Sequence, residues 1–305
     1  GPLPPVRLFQ AWRRGVRRLC RPRASVPEPA CALTRSPRRR KDALMTVSRD
    51  SLARSFAEIC LEAAVPVMEV YTSDFTAEQK ADRSPVTEAD RRAEAIILER
   101  LAELLPGVPV LAEESFEAGV RPEVGDRFLL VDPVDGTKEF IRRNGEFTIN
   151  IALVEDGVPV AGCVYAPALE RIFIGGDRAV AGDVKPATPL DPAALHAITV
   201  RTPPAGGKTA VMSRSHADEE TRRFAEEQGV TETVSAGSSL KFCRVAEGVA
   251  DLYPRFGPTM EWDTGAGHAV LAAAGGRVTN SDGTPFRYAN ADAGYRKRRV
   301  RRLGL

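Results

Sequence analysis

The sequence predicts a layered fold of mixed α+β and α/β character, built from two subdomains. Three observations support this class. Amphipathic helices precede a β-rich stretch in the first half, strands and helices alternate in the second half, and a segment rich in Gly, Pro and Ala at 176–207 connects the halves. We therefore predict an α+β subdomain at 45–200 and an α/β subdomain at 201–294, in a chain of 305 residues that can bury a sizeable core.

The first half is predicted to start with two amphipathic helices. The first covers residues 51–70, and the second ends at Pro106-Gly107, which stops a helix. The β-rich segments that follow lie at 108–112, 128–131, 147–154, 158–165 and 171–174. The third and fourth of them flank Asp156-Gly157, a strong signal for a β-hairpin.

The second half alternates between strands and helices. The predicted strands lie at 209–212, 231–234 and 250–253, and the predicted helices at 218–228, 238–247 and 264–274. Gly275-Gly276 ends the last helix. This alternation is typical of an α/β layer, in which functional residues gather where strands end and helices begin.

The net charge of +2 conceals a strong segregation along the chain. Residues 1–44 carry +10 and residues 295–305 carry +6, which leaves −14 for the residues between them. We interpret 1–44 as a disordered basic extension before a natural start at Met45, with an organellar transit peptide and a nucleic-acid-binding arm as alternatives. We interpret 295–305 as a basic C-terminal tail.

Cysteine spacing and hydropathy argue against a disulfide-stabilised, zinc-binding or membrane-spanning protein. The five cysteines are scattered and form no C-x-x-C pair, which argues against a disulfide framework or a zinc site and favours a reducing compartment. No apolar run approaches the roughly 20 residues of a membrane-spanning helix. We therefore predict a cytoplasmic monomer or homodimer with no integral membrane segment, and leave peripheral association with the inner face of the cell membrane open.

The segment Asp132-Pro-Val-Asp-Gly-Thr137 is the most informative part of the chain. It follows the apolar run at 128–131, so Asp132 and Asp135 are expected at the end of a buried strand, where the chain turns. Carboxylates this close repel each other unless a proton or a cation lies between them. Hard oxygen ligands suit Mg²⁺, so the segment indicates metal-assisted chemistry on a phosphate; the alternative is a tight turn with a helix N-cap.

Further acidic residues lie at positions that favour a site. Glu113-Glu114 follows a predicted strand, Asp90 begins a helix and Asp263 precedes one. Taken singly, these fit a solvated pair, a first-turn acid and an N-cap. Taken together, they supply carboxylates from separated segments, as a site for two Mg²⁺ ions about 4 Å apart requires. The Thr137 hydroxyl is a candidate for orienting a water, with Asp90 as its candidate partner.

A Ser-rich helix start offers a place for an anion. Gly237-Ser238-Ser239 precedes the predicted helix that carries Lys241, and backbone N–H groups at a helix start attract anions. We expect Lys241 to contact a phosphate. His216 lies in a cluster with Ser213 and Arg214, where a ligand-binding and a surface role are both open.

These motifs resemble the inositol monophosphatase superfamily, whose members are Mg²⁺-dependent, lithium-sensitive phosphatases. The resemblance is carried by Asp132–Thr137, preceded by Glu113-Glu114 and followed by Trp262-Asp263-Thr-Gly-Ala-Gly267. The stretch from Asp132 into the hairpin is similar to the CysQ-type 3′(2′),5′-bisphosphate nucleotidase branch, and so are the segments 84–90, 213–216 and 237–241. The resemblance covers roughly 50–290 and implies a layered αβαβα sandwich of the sugar-phosphatase type.

The resemblance also implies a role for each matching residue. The metal ligands would be the side chains of Glu113, Asp132, Asp135 and Asp263 with the Val134 carbonyl, and Glu114 would hold a further, weaker Mg²⁺. Asp90, Thr137 and Glu113 would activate the attacking water. The substrate contacts would be Gly136, Thr137, Ser213, Arg214, His216, Gly237, Ser238, Ser239, Lys241 and Asp263.

The function implied is removal of the 3′-phosphate from 3′-phosphoadenosine 5′-phosphate to give AMP, in sulfur assimilation, with two or three Mg²⁺ ions. The partner would be this small nucleotide bisphosphate, with no obligatory nucleic acid. An inositol-1-phosphate or sugar phosphatase of the same superfamily is the alternative. A nucleic-acid-binding protein that uses the basic ends is a remote one, and it predicts salt-sensitive binding.

Overall fold

The two predicted N-terminal helices form, and they pack against each other. Helix α1 spans Arg49–Thr72 and α2 spans Pro85–Leu104. Ser48 caps α1, because its Oγ accepts a hydrogen bond from the backbone N–H of Ser51 at 3.1 Å. The structure is a computed structural model that describes residues 47–74, 85–212, 219–297 and 300–304.

A seven-stranded sheet forms the centre of the fold. Its strands follow one another in chain order, so that each pairs with the next. The first pair is parallel and all later pairs are antiparallel. The strands are β1 (Val110–Ala112), β2 (Arg127–Asp135), β3 (Thr148–Glu155), β4 (Val158–Ala166), β5 (Arg171–Gly175), β6 (Ala179–Asp183) and β7 (Leu195–Ala197). The predicted hairpin joins β3 to β4, with Asp156 and Gly157 both at positive φ, as a tight hairpin turn requires.

The remaining elements are short helices and three two-stranded pairs. The helices are α3 (Glu113–Glu117), α4 (Thr137–Ile141), α5 (Glu219–Glu227), α6 (Leu240–Ala246) and α7 (Trp262–Ala273). Strand β8 (Lys208–Met212) pairs in parallel with β9 (Val230–Ser235). Strand β10 (Thr259–Met260) pairs with β12 (Arg296–Lys297), and β11 (Arg277–Asn280) with β13 (Val300–Gly304). Turns of 3₁₀-helix lie at Pro167–Leu169, Pro192–Ala194 and Ala291–Ala293.

Alternation along the central strands separates two apolar cores. Val131 and Ile151 face α1 and α2, whereas Leu130 and Ala152 face α6 and α7. Beyond α6, β8 contributes Val211 to the α6 side, and its other side packs against α5. The layers therefore run helix, sheet, helix, sheet, helix, which confirms the predicted αβαβα architecture.

Helix α7 lies directly on the central sheet. A Cβ added at Gly265 would come within 2.6 Å of Leu130 Cδ1, so the absence of a side chain there permits the close approach. The whole inward side of α7 is buried against β2 to β5. This packing fixes the helix whose first turn contains Asp263.

Three sequence-based boundaries were wrong or incomplete. Strand β2 continues to Asp135 and does not end before Asp132. The presumed connection at 176–207 adds β6 and β7 to the sheet; the two strands are short and contain a single β-branched residue, Val180, whereas strands are recognised by a run of such residues.

Residues 250–253 do not form a regular strand. They run beside β8 with a single parallel bridge between Leu252 and Ala210. The Thr209 N–H donates to the Asp251 carboxylate at 2.7 Å and not to a neighbouring backbone carbonyl, which interrupts the ladder.

Both chain ends were assigned to basic extensions. The N-terminal one, 1–44, lies outside the described residues. Strands β12 and β13 fall within 295–305, so part of the predicted tail pairs with the rest of the fold. The described residues belong to one compact unit, and the subdomain division near residue 200 stays a prediction. No described helix is long and apolar enough to cross a membrane.

Candidate active site

The Asp132–Thr137 motif lies at the irregular end of β2 and lines a cavity. The pairing of β2 with β3 shifts register between Asp132 and Asp135. Residues three apart on a regular strand face opposite sides, so this irregularity allows both carboxylates to line the same cavity. Gly136, at a φ of 101°, then turns the chain into α4, which begins at Thr137. That backbone conformation carries little steric cost only for glycine.

The cavity has a volume of about 740 Å³ and collects most of the predicted site. Nine predicted residues line it: Glu113, Asp132, Val134, Asp135, Gly136, Thr137, Ser238, Lys241 and Asp263. The predicted residues Asp90, Glu114, Gly237 and Ser239 do not line it but adjoin residues that do, either in space or along the chain. Ser213, Arg214 and His216 lie outside the described residues. The fold thus brings together carboxylates from three separated segments.

The Glu113-Glu114 pair is held by Glu94, which the sequence analysis missed. Glu94 lies in α2 and is 5% exposed. Its carboxylate accepts hydrogen bonds from the N–H groups of Glu114 at 2.9 Å and Ser115 at 2.8 Å, and from the Ser115 hydroxyl at 2.5 Å. These N–H groups lie in the first turn of α3 and have no partner within that helix. Because Asp90 is one turn earlier in α2, Glu94 links the helix that carries Asp90 to the turn that carries Glu113.

Burial and mutual repulsion raise the pKa values of the acidic side chains. The pKa of Asp90 rises to about 9, chiefly through burial and then through the charges of Glu114 and Glu113. The pKa of Glu113 rises to about 8, again through burial first, followed by Asp263 and Asp135. Burial also raises the pKa of Asp132 well above its usual range and raises that of Asp263. Such a cluster favours a proton or a cation between its members.

The donor set fits a hard divalent cation. The Asp132 carboxylate is buried, its Oδ1 has no hydrogen-bond partner within the described residues, and it therefore has room for a further donor or a cation; carboxylate oxygens are the ligands that Mg²⁺ prefers. Among the residues described, no group of three Asp, Glu, His or Cys side chains is already close enough together to hold a metal ion. The charge of a bound cation would offset the mutual repulsion of these carboxylates.

Asp263 is oriented by the segment before α7. Its Oδ2 accepts hydrogen bonds from the Thr259 hydroxyl at 2.7 Å and from the Met260 N–H at 3.0 Å. Both bonds engage the same oxygen. They fix the direction in which the carboxylate points into the cavity.

A buried ion pair supports the start of α7. The Glu261 side chain is fully buried and lies 2.9 Å from Lys297 Nζ. It also accepts hydrogen bonds from the N–H groups of Ala289 at 2.9 Å and Asn290 at 3.0 Å. These contacts join α7, the 289–290 turn and β12, and one basic residue of the predicted tail thereby has a structural partner.

A hydroxyl and a positively charged side chain also line the cavity. Ser238 Oγ donates to Asp135 Oδ2 at 2.6 Å and also contacts the Thr148 hydroxyl. Lys241 is only 7% exposed, and its Nζ lies 5.6 Å from the ring centroid of Tyr253. The site therefore places a cation beside its acidic group, as recognition of a substrate with several negative charges requires.

The loop 253–258 is a further part of the site that the sequence analysis did not identify. Arg255 lines the cavity, and its guanidinium donates to the Pro258 carbonyl at 3.0 Å. Tyr253 and Phe256 add aromatic surface to the same wall. The only sign of this role in the sequence is an Arg flanked by Pro and Gly residues. That pattern is usually found in surface loops, so it does not indicate a binding site by itself.

Comparison with known proteins agrees with this architecture. The model of the Inositol monophosphatase family matches residues 49–300. The 3′(2′),5′-bisphosphate nucleotidase CysQ of Escherichia coli K12 is 46% identical over 233 residues, which cover 76% of this chain and 91% of that protein. These matches confirm the resemblance seen in the sequence.

Solved structures give the same result. The crystal structure of CysQ from Bacteroides thetaiotaomicron superposes with a TM-score of 0.72 at 35% identity, covering 84% of this chain and 97% of that one. An inositol monophosphatase from Zymomonas mobilis has a TM-score of 0.66 at 23% identity, covering 83% and 91%, and supports the fold alone. From its motifs, its layers and these matches, this chain belongs to the inositol monophosphatase family.

Proposed function

We propose that this protein is a Mg²⁺-dependent phosphatase that hydrolyses the 3′-phosphate of 3′-phosphoadenosine 5′-phosphate to give AMP, in sulfur assimilation. The observation that carries the proposal is an acidic cavity with a buried lysine at its side, in a chain 46% identical to a 3′(2′),5′-bisphosphate nucleotidase over 91% of that enzyme. Phosphoryl transfer is catalysed mainly by positioning and charge neutralisation, and the cavity offers groups for both.

The acidic residues would hold the metal. Glu113, Asp132, Asp135 and Asp263, with the Val134 carbonyl, would hold two Mg²⁺ ions, and Glu114 would hold a third more weakly. Bound Mg²⁺ supplies an acidified water and neutralises charge on the phosphate oxygens. The protein's own contribution is orientation, since Ser238 directs Asp135 and Thr259 directs Asp263.

Thr137 and Asp90 are proposed to position the attacking water. Thr137 starts α4, lines the cavity and is an exposed residue. Asp90 would accept the proton of that hydroxyl, leaving an oxygen lone pair for the water. Within the described residues no hydrogen bond joins the two side chains, so this pairing stays a prediction.

The basic and aromatic wall is proposed to bind the nucleotide. Lys241 and Arg255 offer donors for the second phosphate, Ser238 is a further predicted contact, and Tyr253 and Phe256 offer apolar surface for a base. Gly136, Gly237 and Ser239 would complete the phosphate contacts, and Ser213, Arg214 and His216 remain predicted contacts. We further propose a cytoplasmic monomer or homodimer, without an obligatory nucleic-acid partner.

A phosphate-release panel tests the proposal. The purified protein is assayed with the bisphosphate nucleotide, inositol 1-phosphate and a sugar phosphate, each with Mg²⁺, with EDTA and with added Li⁺. We expect release from the nucleotide only with Mg²⁺ and inhibition by Li⁺ at sub-millimolar to millimolar levels. Faster release from inositol 1-phosphate would assign the substrate to the other branch of the family, and full activity in EDTA would refute the metal mechanism.

A further inference from the structure

Two buried polar side chains face each other across β2 and β3. Asp132 and Asn150 are direct register partners, and each is 1% exposed. Within the part of the chain that the structure describes, Asp132 Oδ1 and both amide atoms of Asn150 are buried without a hydrogen-bond partner. Burial of an amide without a partner is costly, and Asn150 stands between the apolar residues Ile149 and Ile151, so its presence requires an explanation.

The two side chains lie on the same side of the sheet. The next register pair on that side is Leu130 with Ala152, which α7 covers at Gly265. Directly opposed residues of an antiparallel pair have Cβ atoms about 4.5–5.5 Å apart, a separation that an amide–carboxylate hydrogen bond can span. Asn150 is therefore within reach of Asp132 Oδ1, although no hydrogen bond joins the two side chains within the described residues.

We propose that Asn150 is a positioning residue for Asp132: its amide N–H donates to Oδ1, so that the other carboxylate oxygen faces the cation. This inference rests on the Mg²⁺-dependent function proposed above. An amide suits this role because it is a neutral donor. A lysine would neutralise the carboxylate that must attract Mg²⁺, and an aliphatic residue would leave Oδ1 buried and unpaired.

Substitution at Asn150 separates this role from simple packing. Asn150→Leu keeps the number and branching of the side-chain heavy atoms but has no donor, whereas Asn150→Ser keeps a donor. Val164→Ala is the matched control, since Val164 is the other register neighbour of Asn150 and is equally buried but apolar. Mg²⁺ affinity is measured by titration calorimetry without substrate, and stability by urea unfolding in EDTA.

We expect Asn150→Leu to weaken Mg²⁺ binding at least about tenfold, as loss of an outer-shell partner does. Asn150→Ser should stay within about threefold of the unsubstituted protein, and Val164→Ala should lose stability but keep its Mg²⁺ affinity. If Asn150→Leu fails to fold, Asn150→Ala carries the same expectation for affinity.

The outcomes distinguish this inference from the proposed function. Equal Mg²⁺ affinity in Asn150→Leu and the unsubstituted protein would overturn the role of Asn150 alone. Absence of Mg²⁺ binding in the unsubstituted protein would overturn both. A loss of affinity in Val164→Ala as large as that in Asn150→Leu would attribute the effect to packing and likewise overturn the inference.

Discussion

Raising the pH in the absence of Mg²⁺ is expected to destabilise this fold. In the folded chain the pKa values of Asp90 and Glu113 lie at about 9 and about 8. In the unfolded chain these groups return to about 3.9 and 4.3. Between about pH 6.5 and 8 the folded state therefore holds protons that the unfolded state has released, and stability falls with rising pH wherever that is so.

The expected magnitude follows from the number of protons. Each proton held only in the folded state corresponds to about 1.4 kcal/mol per pH unit, or about 2 kcal/mol across this window, so Asp90 and Glu113 together correspond to about 4 kcal/mol. The window is chosen to avoid the titration of His268, whose pKa is lowered by burial from 6.5 to about 3 in the folded chain. Below about pH 6.5 the unfolded chain binds a proton at His268 that the folded chain does not, so stability there rises with pH and opposes the carboxylate trend.

Urea unfolding followed by circular dichroism, in EDTA and in saturating Mg²⁺, measures this effect. Asp90→Asn is the control, because it removes one of the two titrating groups and should flatten the dependence. Saturating Mg²⁺ should add more stability at pH 8 than at pH 6.5, since the cation binds the deprotonated carboxylates. A free energy of unfolding in EDTA that is constant or rises over this window would refute the reasoning.

Three substitutions test other parts of the site. Asp132→Asn should lose at least about a thousandfold in kcat while its urea midpoint in EDTA is no lower than that of the unsubstituted protein, and near-normal turnover at saturating Mg²⁺ would contradict the mechanism. Glu94→Gln should weaken Mg²⁺ binding about tenfold in calorimetry and lower the free energy of unfolding by about 2 kcal/mol, whereas Ser115→Ala should lower it by only about 1 kcal/mol. Unchanged Mg²⁺ affinity in Glu94→Gln would show that the role of Glu94 is purely structural. Glu261→Gln should cost about 3 kcal/mol in urea unfolding, because it removes the carboxylate opposite the largely buried Lys297 ammonium and leaves that ammonium with the neutral Arg287 carbonyl as a partner; a cost below about 1 kcal/mol would exclude this contribution.

Local patterns predicted much of the fold. The β3–β4 hairpin was recognisable because an Asp-Gly pair lies between two β-rich runs. Both residue types tolerate the positive φ that a tight turn requires, and Asp156 and Gly157 adopt it. Helices α1 and α2 were predicted from periodicity, which depends only on residues three or four apart. The metal-ligand candidates were found because Asp132 and Asp135 occur in an unusual motif, and nine predicted residues line the cavity.

Features that depend on distant residues were not predictable in the same way. Glu94 caps a helix about 20 positions further along, and a sequence window around either segment carries no sign of it. The continuation of β2 through Pro133 depends on the partner strand β3, whose register shift accommodates the proline. Arg255 lines the cavity because of the path of its loop, and a loop has no periodic sequence pattern from which that path could be predicted.

The late position of α7 in the chain has a consequence for synthesis on the ribosome. Strands β1 to β7 are complete by Ala197, but Trp262–Ala273, which covers one side of them, emerges much later. Until then the nascent sheet exposes Leu130, Ala152 and their apolar neighbours, the kind of surface that chaperones bind and that promotes aggregation. Asp263 belongs to the same helix, so ribosome-bound chains that end before α7 should lack both the cover of the core and the last carboxylate of the site.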